Sequence, residues 1–199
     1  MITKLPINLS KIIFVEWIDV NDICVIDQSY CNKIYRLKMI NILNNIIINN
    51  YKNDSNFNAT KKLYYLIWIE KRKFYIQNIQ IDNLNKINNN HINCNHNFLI
   101  FKYLNHLDLS NSEITNNELN QFFIQNKINN LKILNLTNCS KFFFDENNFK
   151  TIIENNIYLE KIIFDSRNEN FNGLFFKYII ENCQNLKKIK FNDLSISID

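Results

Sequence analysis

The sequence predicts an α/β solenoid, a short curved parallel sheet with helices on its convex side, preceded by a small helical head. Two observations predict the solenoid: an apolar triplet recurs at a nearly constant spacing, and segments of helical periodicity separate its copies. A third observation predicts the head, because residues 1–48 show helical periodicity without the triplet.

The triplet consists of large apolar residues at positions i, i+3 and i+5. Its copies begin at positions 76, 104, 131, 159 and 186, so they recur with a nearly constant period. All fifteen anchor positions are apolar, although only 46% of the chain is hydrophobic. A fixed period of this length is typical of solenoids, in which neighbouring repeats bury one another's apolar faces. The anchors are Ile76, Ile79 and Ile81; Leu104, Leu107 and Leu109; Leu131, Leu134 and Leu136; Leu159, Ile162 and Phe164; and Leu186, Ile189 and Phe191.

From residue 101 onward, each copy of the triplet is followed by a turn and then, where the chain is long enough, by an apolar helical face. In the repeat that begins at Leu104, Thr115 or Asn116 is suited to capping a helix, since a short polar side chain accepts a hydrogen bond from a free N–H group there. The helical faces carry Leu119, Phe122 and Phe123; Phe149, Ile152 and Ile153; and Leu174, Phe175, Tyr178 and Ile179. Each repeat is therefore predicted to contribute one strand and one helix.

Residues 1–48 form the predicted head of three short helices. Its first helix carries four apolar residues at helical spacing and a proline in the first turn: Leu9, Ile12, Ile13, Trp17 and Pro6. We expect Asn21 and Asp22 to cap the second helix and the third to start near Ser29. Helices this short depend on tertiary packing, so they require one another together with the solenoid or a partner.

Residues 49–75 connect the head to the repeats. Their first part, 49–60, is polar and unpatterned and predicts a surface loop. Thr60 is suited to capping a connecting helix over 61–70, whose apolar face carries Leu63, Leu66 and Ile67. A single strand is predicted over 74–81, where the first copy of the triplet lies.

The composition excludes several classes of protein. The single glycine excludes phosphate-cradling and dinucleotide-binding loops, which need several; asparagine must supply most turn residues with positive φ. A net charge of +4 is too weak to indicate nucleic acid. We expect no secretory leader; no long apolar run occurs, and the five cysteines lack paired spacing. We expect a reduced intracellular protein, cytoplasmic or nuclear, without a membrane partner.

Neither a metal site nor a catalytic site is predicted. His91, Cys94 and His96 lie close together in the sequence, but a fourth zinc ligand at suitable spacing is missing, so we interpret the segment as a polar loop. His106 and Asp108 share one strand face without a suitably placed nucleophile. We therefore expect no enzymatic activity and no cofactor.

Residues 76–199 resemble the leucine-rich repeats of the cysteine-containing type, with about five repeats. Cys139 lies eight positions after Leu131, and Cys183 lies three before Leu186; at these positions the family places Asn or Cys, turned inward. We expect both cysteines to be buried. The resemblance implies that the triplet points into the core and that the interleaved residues line a concave wall.

The concave wall is the predicted binding surface for a protein partner, since solenoids use such extended surfaces for binding. The side chains assigned to it are His106, Asp108, Ile133, Asn135, Lys161, Ile163, Asp165, Lys188 and Lys190. The row becomes basic towards its C-terminal end, which would favour an acidic partner. Ile133 and Ile163 are either an apolar anchor for a partner or surface residues without a role.

The head resembles an F-box, because a Leu-Pro pair opens a helix that is followed by an Asp-Ile pair at the start of the next. In that family the three-helix unit docks on the Skp adaptor of a cullin–RING ubiquitin ligase. The resemblance implies that six residues contact such an adaptor: Leu5, Pro6, Leu9, Ile13, Trp17 and Ile23. The alternative is that the head only caps the solenoid, whose ends need cover.

Two functions therefore stay open. The chain is either a substrate-recognition adaptor of a ubiquitin ligase or a repeat scaffold whose head is a cap. The sequence identifies neither the partner nor the oligomeric state. Because the last triplet is followed by few residues, the sheet edge there is open, covered by a partner, or continued by further repeats.

Overall fold

The computed structural model describes residues 6–13, 20–29, 33–43, 47–48, 66–81, 99–139, 141–142, 146–164, 173–191 and 194–197. The head contains helices α1 (Ile7–Ile12), α2 (Val20–Ser29) and α3 (Lys33–Leu43), followed by the short strand β1 (Ile47–Ile48). Helix α4 covers residues 66–71, and strand β2 (Tyr75–Ile76) pairs with β1 in parallel.

The remaining elements form the repeats. They are β3 (Asn78–Gln80), a 3₁₀ turn (Leu99–Phe101), β4 (His106–Asp108), α5 (Asn116–Asn126), β5 (Ile133–Asn135), α6 (Glu146–Asn155), β6 (Lys161–Phe164), α7 (Gly173–Asn182), β7 (Lys188–Phe191) and β8 (Leu194–Ser197). The strands β3 to β7 lie side by side in chain order and are parallel. The predicted α/β architecture with a parallel sheet is thus confirmed.

The register of this sheet reproduces the period of the triplet. Asn78 is opposite His106, which is opposite Ile133, and the row continues through Lys161 to Lys188, so each step along the row equals the step between successive triplets. Just before a strand, one backbone carbonyl accepts two N–H groups of the next repeat. The carbonyl of Asn105, for example, accepts the N–H groups of Lys132 and Ile133 at 2.7 and 2.9 Å. The repeat in the sequence is therefore a repeat in space.

The triplets build the core beneath the sheet. Fourteen of their fifteen side chains are buried, and Phe191 at the end of β7 is half-exposed. The predicted helical faces pack against them through Leu119, Phe122, Phe123, Phe149, Ile152, Ile153 and Ile179, with Tyr178 half-buried. The side chains of Leu174 and Phe175 lie outside the described part. Cys139 and Cys183 are buried, as predicted, and burial raises the pKa of the Cys183 thiol to about 12.

The turns confirm one local prediction and part of another. Thr115 caps α5 in a capping box: its hydroxyl accepts the N–H of Glu118 at 3.4 Å, and the Glu118 carboxylate accepts the N–H of Thr115 at 2.9 Å. Asn111 and Asn138, at equivalent positions of successive repeats, both have positive φ, at 61° and 56°. Two lysines, Lys73 and Lys127, also adopt positive φ and were not predicted to.

Asparagine side chains join the repeats. Asn156 is fully buried; its oxygen accepts the N–H of Leu131 at 3.0 Å, and its amide donates to the carbonyls of Ile128 and Ile152. Asn130 and Asn185 each donate to a carbonyl of the preceding repeat, those of Lys102 and Ile157. These bonds satisfy backbone groups that the strands and helices leave unpaired.

Three predicted boundaries in the head are wrong. Pro6 occupies the N-cap position, one residue before α1, with an extended backbone. Helix α2 begins at Val20, so Asn21 and Asp22 belong to its first turn and do not cap it. It also runs on to Ser29, and α3 starts only at Lys33. A helix end is weakly marked where several polar residues are adjacent, because each of them is able to cap.

The predicted strand over 74–81 is interrupted, and two strands of the fold were missed. The backbone bends at Gln77, whose carbonyl accepts the N–H groups of Asn105 and His106. Tyr75 and Ile76 therefore pair with β1, while Asn78 to Gln80 join the large sheet. Strand β8, which was also not predicted, pairs antiparallel with β7.

The head and the repeats share one hydrophobic core. Ile23, Met39 and Ile42 of the head are buried in the same cluster as Leu66 and Ile69 of α4 and the triplet residues. Thr60 and Leu63 lie outside the described residues. Among those that are described, no helix has both the length and the hydrophobicity to cross a membrane.

Candidate interaction surfaces

The open face of the sheet carries two rows of side chains. Each of the strands β3 to β7 contributes one residue to the first row and, two positions later, one residue to the second. Successive residues of a strand point to opposite faces, so these side chains alternate with the buried anchors, and all ten are half-exposed. The first row contains Asn78, His106, Ile133, Lys161 and Lys188, and the second contains Gln80, Asp108, Asn135, Ile163 and Lys190. Eight of the nine residues predicted for the partner-binding wall are among them. The ninth, Asp165, lies outside the described residues.

Two of the polar side chains on this face shape the ends of their strands. Asp108 accepts the backbone N–H of Ser110 at 2.9 Å, and Asn135 accepts both the N–H and the hydroxyl of Thr137 at 3.1 and 2.7 Å. These local bonds turn the chain out of β4 and β5. Asp108 and Asn135 therefore have a structural task besides any contact with a partner.

The pKa of His106 lies below its ordinary value of 6.5. Burial lowers the pKa of its imidazole, the positive charge of Lys161 lowers it further, and the carboxylate of Asp108 opposes both without reversing them. The Asp108 carboxylate accepts a hydrogen bond from the backbone N–H of Ser110. The described hydrogen bond of Asp108 therefore stabilises the turn at the end of β4.

The C-terminal half of the open face combines positive charge with two apolar side chains. Lys161 and Lys188 are direct register partners, and Lys190 follows two positions later on the same face. Ile133 lies opposite Lys161, and Ile163 lies opposite Asn135 and Lys190. The two isoleucines are therefore diagonal neighbours and not directly opposite each other. We call Ile133, Lys161, Ile163, Lys188 and Lys190 the basic patch.

Five lysines elsewhere on the protein have acidic partners. Glu160 contacts Lys187 at 3.0 Å and Lys132 at 3.5 Å, and the hydrogen bond from Lys187 is the main cause of its lowered pKa. The pairs Lys141–Glu113, Lys150–Glu154 and Lys177–Glu181 lie within 2.8, 3.7 and 3.8 Å. In the described part of the chain, no carboxylate forms an ion pair with an ammonium group of the basic patch.

The head exposes apolar side chains on all three of its helices. The exposed fractions are 46% for Leu9, 47% for Ile12, 61% for Val25 and 62% for Leu37. Pro6 is also exposed, and Ile13 is half-buried. Of the residues predicted to contact an adaptor, Leu5 and Trp17 lie outside the described part.

Ile23 does not belong to the surface on which it was predicted. Its side chain is only 1% exposed and packs into the core that the head shares with the repeats. The spacing of the apolar residues in α2 did not determine which of them face the core. The structure shows that Ile23 faces it. Val25, which was not among the predicted contact residues, is exposed instead.

A buried carboxylate joins the head to α4. The side chain of Asp27 is 1% exposed, and its Oδ2 atom accepts hydrogen bonds from Arg72 Nη2 at 2.8 Å, Arg72 Nε at 3.2 Å, Trp68 Nε1 at 3.2 Å and Arg36 Nη2 at 3.4 Å. Burial alone would raise the pKa of Asp27, but the bonds and charges of Arg72 and Arg36 outweigh it, so the pKa is lowered. This cluster was not predicted, because its members lie far apart along the chain.

No metal centre emerges from the described residues, which contain no group of three or more His, Cys, Asp and Glu side chains able to hold an ion. His91, Cys94 and His96 lie outside them. Compared with models of protein families and with curated proteins, the chain matches none.

Proposed function

We propose that the protein is a non-catalytic protein–protein interaction module of leucine-rich repeats, and that it binds its partner on the open face of the sheet. One observation carries the proposal: ten half-exposed side chains stand in two rows on a sheet whose other face is a continuous core. Such a surface is extended and pre-organised, as solenoid binding surfaces are. The spacing from Leu131 to Cys139 also fits the leucine-rich-repeat pattern, in which an Asn or Cys follows the third apolar residue by three positions.

A binding experiment with matched variants tests this proposal. Random peptides displayed on phage are selected on the full chain, and the affinity of the recovered peptides is measured by fluorescence anisotropy. Ile133→Asp with Ile163→Asp places two charges on the open face, and we expect it to weaken binding at least about tenfold. The control is Ile157→Asp with Ile180→Asp, at exposed isoleucines outside the strands. Equal binding by both double variants would refute the open face as the binding surface.

A second candidate function is recruitment of a ubiquitin ligase through the head. The exposed apolar residues of α1, α2 and α3 favour it, because an apolar patch is a common mark of an interaction site. Under this proposal, Pro6, Leu9 and Ile13, with Leu5 and Trp17, contact a Skp-type adaptor, and the repeats select the substrate. Leu9→Asp should abolish binding of the full chain to a purified Skp-type adaptor, whereas Ile180→Asp should not. Absence of binding by the unchanged chain rules this role out.

The alternative is a scaffold in which the head only caps the repeats. The shared core favours it, since Ile23, Met39 and Ile42 would lose their apolar neighbours if the head detached. Deletion of residues 1–48 should then unfold or aggregate the repeats. A deletion variant that stays monomeric and equally stable in urea would exclude the capping role. In either role we place the protein in the cytoplasm or nucleus.

A further inference from the structure

We propose that the basic patch binds an acidic segment of the partner protein, with an apolar side chain of that segment packed against Ile133 and Ile163. This inference rests on the proposed function and specifies the chemistry of the partner. It depends on three features of the open face: the register of its lysines, the lack of acidic neighbours for them among the described residues, and the isoleucines beside them.

The register concentrates positive charge. Lys161 and Lys188 are opposite each other on parallel strands, which are about 4.8 Å apart. Lys190 projects from the same face about 6.6 Å farther along β7. Like charges opposite each other on a sheet destabilise it, so this arrangement has a cost that a bound anion relieves.

The charge is not compensated within the described part of the chain. Glu160 directly precedes Lys161 in sequence, but its carboxylate contacts Lys132 and Lys187, which directly precede Ile133 and Lys188 on the adjacent strands. Two helical lysines likewise have glutamate partners one turn away, in Lys150–Glu154 and Lys177–Glu181. Among the described residues, the three lysines of the open face have no such partner. Charge complementarity therefore points to carboxylates on the partner.

The isoleucines indicate what accompanies those carboxylates. Ile133 lies directly opposite Lys161, so an apolar contact and an ionic contact are one strand spacing apart, about 4.8 Å. An extended segment that crosses β5, β6 and β7 covers about 9.6 Å, which is roughly three residues at about 3.3 Å each. We therefore expect a partner sequence in which one large apolar residue stands within four positions of at least two Asp or Glu.

A nucleic acid fits this face less well. Single strands are bound by basic grooves with aromatic side chains on which bases stack. The ten residues of the two rows include no Arg, Tyr, Trp or Phe, and they do include a carboxylate at Asp108. The apolar and basic patch therefore favours a polypeptide.

The test uses the full chain and the peptide selection described above, followed by affinity measurements at about 50 and about 200 mM NaCl, a range over which screening changes. The test variant is Lys161→Ala with Lys188→Ala and Lys190→Ala. The control carries the same change of charge on other surfaces, Lys141→Ala with Lys150→Ala and Lys177→Ala. Circular dichroism verifies that both are folded. A single-stranded oligonucleotide with the same number of negative charges as the best peptide serves as competitor.

We expect the selected peptides to contain the acidic and apolar motif. They should bind the test variant at least about tenfold more weakly and the control within about twofold, and lose affinity as salt rises. Three results would overturn the inference while sparing the proposed function: peptides without acidic residues, insensitivity to the three lysines when the isoleucine variant still abolishes binding, or equal competition by the oligonucleotide. If no peptide is recovered, or if neither variant affects binding, the proposed open-face function fails as well.

Discussion

Replacing Asp27 with asparagine removes the charge at the contact between the head and α4 while it preserves the size of the side chain. The carboxylate is buried, and its Oδ2 atom accepts four hydrogen bonds from Arg36, Trp68 and Arg72. An asparagine that keeps its oxygen at the position of Oδ2 retains the acceptor there and places its amide at the position of Oδ1, for which no hydrogen bond is described. The substitution therefore removes the negative charge and weakens the four bonds without removing them. Arg72, whose side chain is 23% exposed, then keeps a largely buried charge without its counterion.

The magnitude follows from the burial of each partner. The two bonds from Arg72 are charge-assisted and mostly buried, and loss of the charge that strengthens them costs about 1.5–3 kcal/mol. The Arg36 side chain is 43% exposed and its Nη2 lies 3.4 Å from the carboxylate, so solvent screens its contribution to about 0.5 kcal/mol. Weakening of the Trp68 bond adds at most about 1 kcal/mol. We expect Asp27→Asn to lower the free energy of unfolding by about 2–4 kcal/mol, and Tm by about 5–15 °C.

Urea denaturation of the full chain measures this change. In a Trp17→Phe background, Trp68 is the one remaining tryptophan of the sequence, so its fluorescence reports on the cluster itself. Arg72→Ala should cost nearly as much as Asp27→Asn, and the double variant less than the sum of both. Arg36→Ala is the control from the same cluster and should cost under about 1 kcal/mol. A loss below about 0.5 kcal/mol for Asp27→Asn, or equal losses for the two arginine variants, would contradict the reasoning.

The pH dependence has a definite sign. The pKa of Asp27 in the folded protein lies below its ordinary value of 3.8. The ionised carboxylate therefore contributes stability fully above that ordinary value, and the contribution disappears as the pH falls through the folded pKa. The difference in stability between the unchanged chain and Asp27→Asn should be constant from about pH 7 to about pH 5 and shrink below about pH 4. A difference that grows on acidification would be incompatible with the assignment.

Three further predictions concern the repeats. Asn156→Ala should lower the free energy of unfolding in urea by about 2–4 kcal/mol, because it leaves one buried N–H and two carbonyls without their partner. The control is Asn155→Ala at the exposed neighbour, which makes one bond to Thr151 and should cost under about 1 kcal/mol. Equal losses in the two variants would contradict this. Thr115→Ala should lower the free energy of unfolding by about 1 kcal/mol, and Thr115→Ser by much less, since serine preserves the capping box. Equal losses in the alanine and serine variants would exclude the cap as the cause. Cys139 and Cys183 should resist iodoacetamide at about pH 8 in the native protein and react in urea, as peptide mass spectrometry would measure; rapid native alkylation would show that they are accessible.

The sheet of this protein was predictable because its cause is periodic. Each anchor of the triplet is apolar for the same reason, burial beneath a strand, so the period determines both which side chains are inside and which strands are adjacent. The two rows of the open face follow from that register. Ile133 and Ile163 lie on adjacent strands, and they are diagonal neighbours because Ile163 stands two positions after Lys161, the residue opposite Ile133.

The asparagines show where composition conceals structure. The chain contains 40 of them, and the one sign that separates Asn156, which is fully buried, from Asn155 beside it is its place three positions before Leu159, equivalent to that of Cys183 before Leu186. The difference arises from the turn after α6, which directs one side chain towards the preceding repeat and the other towards solvent. Similarly, β1 is very short and carries no periodic signal. Pairings this short depend on tertiary packing.

The cluster around Asp27 bears on both proposed roles of the head. Its members come from α2, α3, α4 and the turn after α4, and that turn leads through β2 into β3 of the large sheet. A buried charge pair is weak as a source of net stability but costly to break, so it favours one arrangement of the packed elements over others. If the head binds a ligase adaptor, this connection fixes the orientation of the adaptor relative to the open face, and Asp27→Asn should impair substrate transfer more than adaptor binding. If the head is only a cap, the same substitution should lower stability and leave the affinity of the open face for its peptides unchanged in the folded protein.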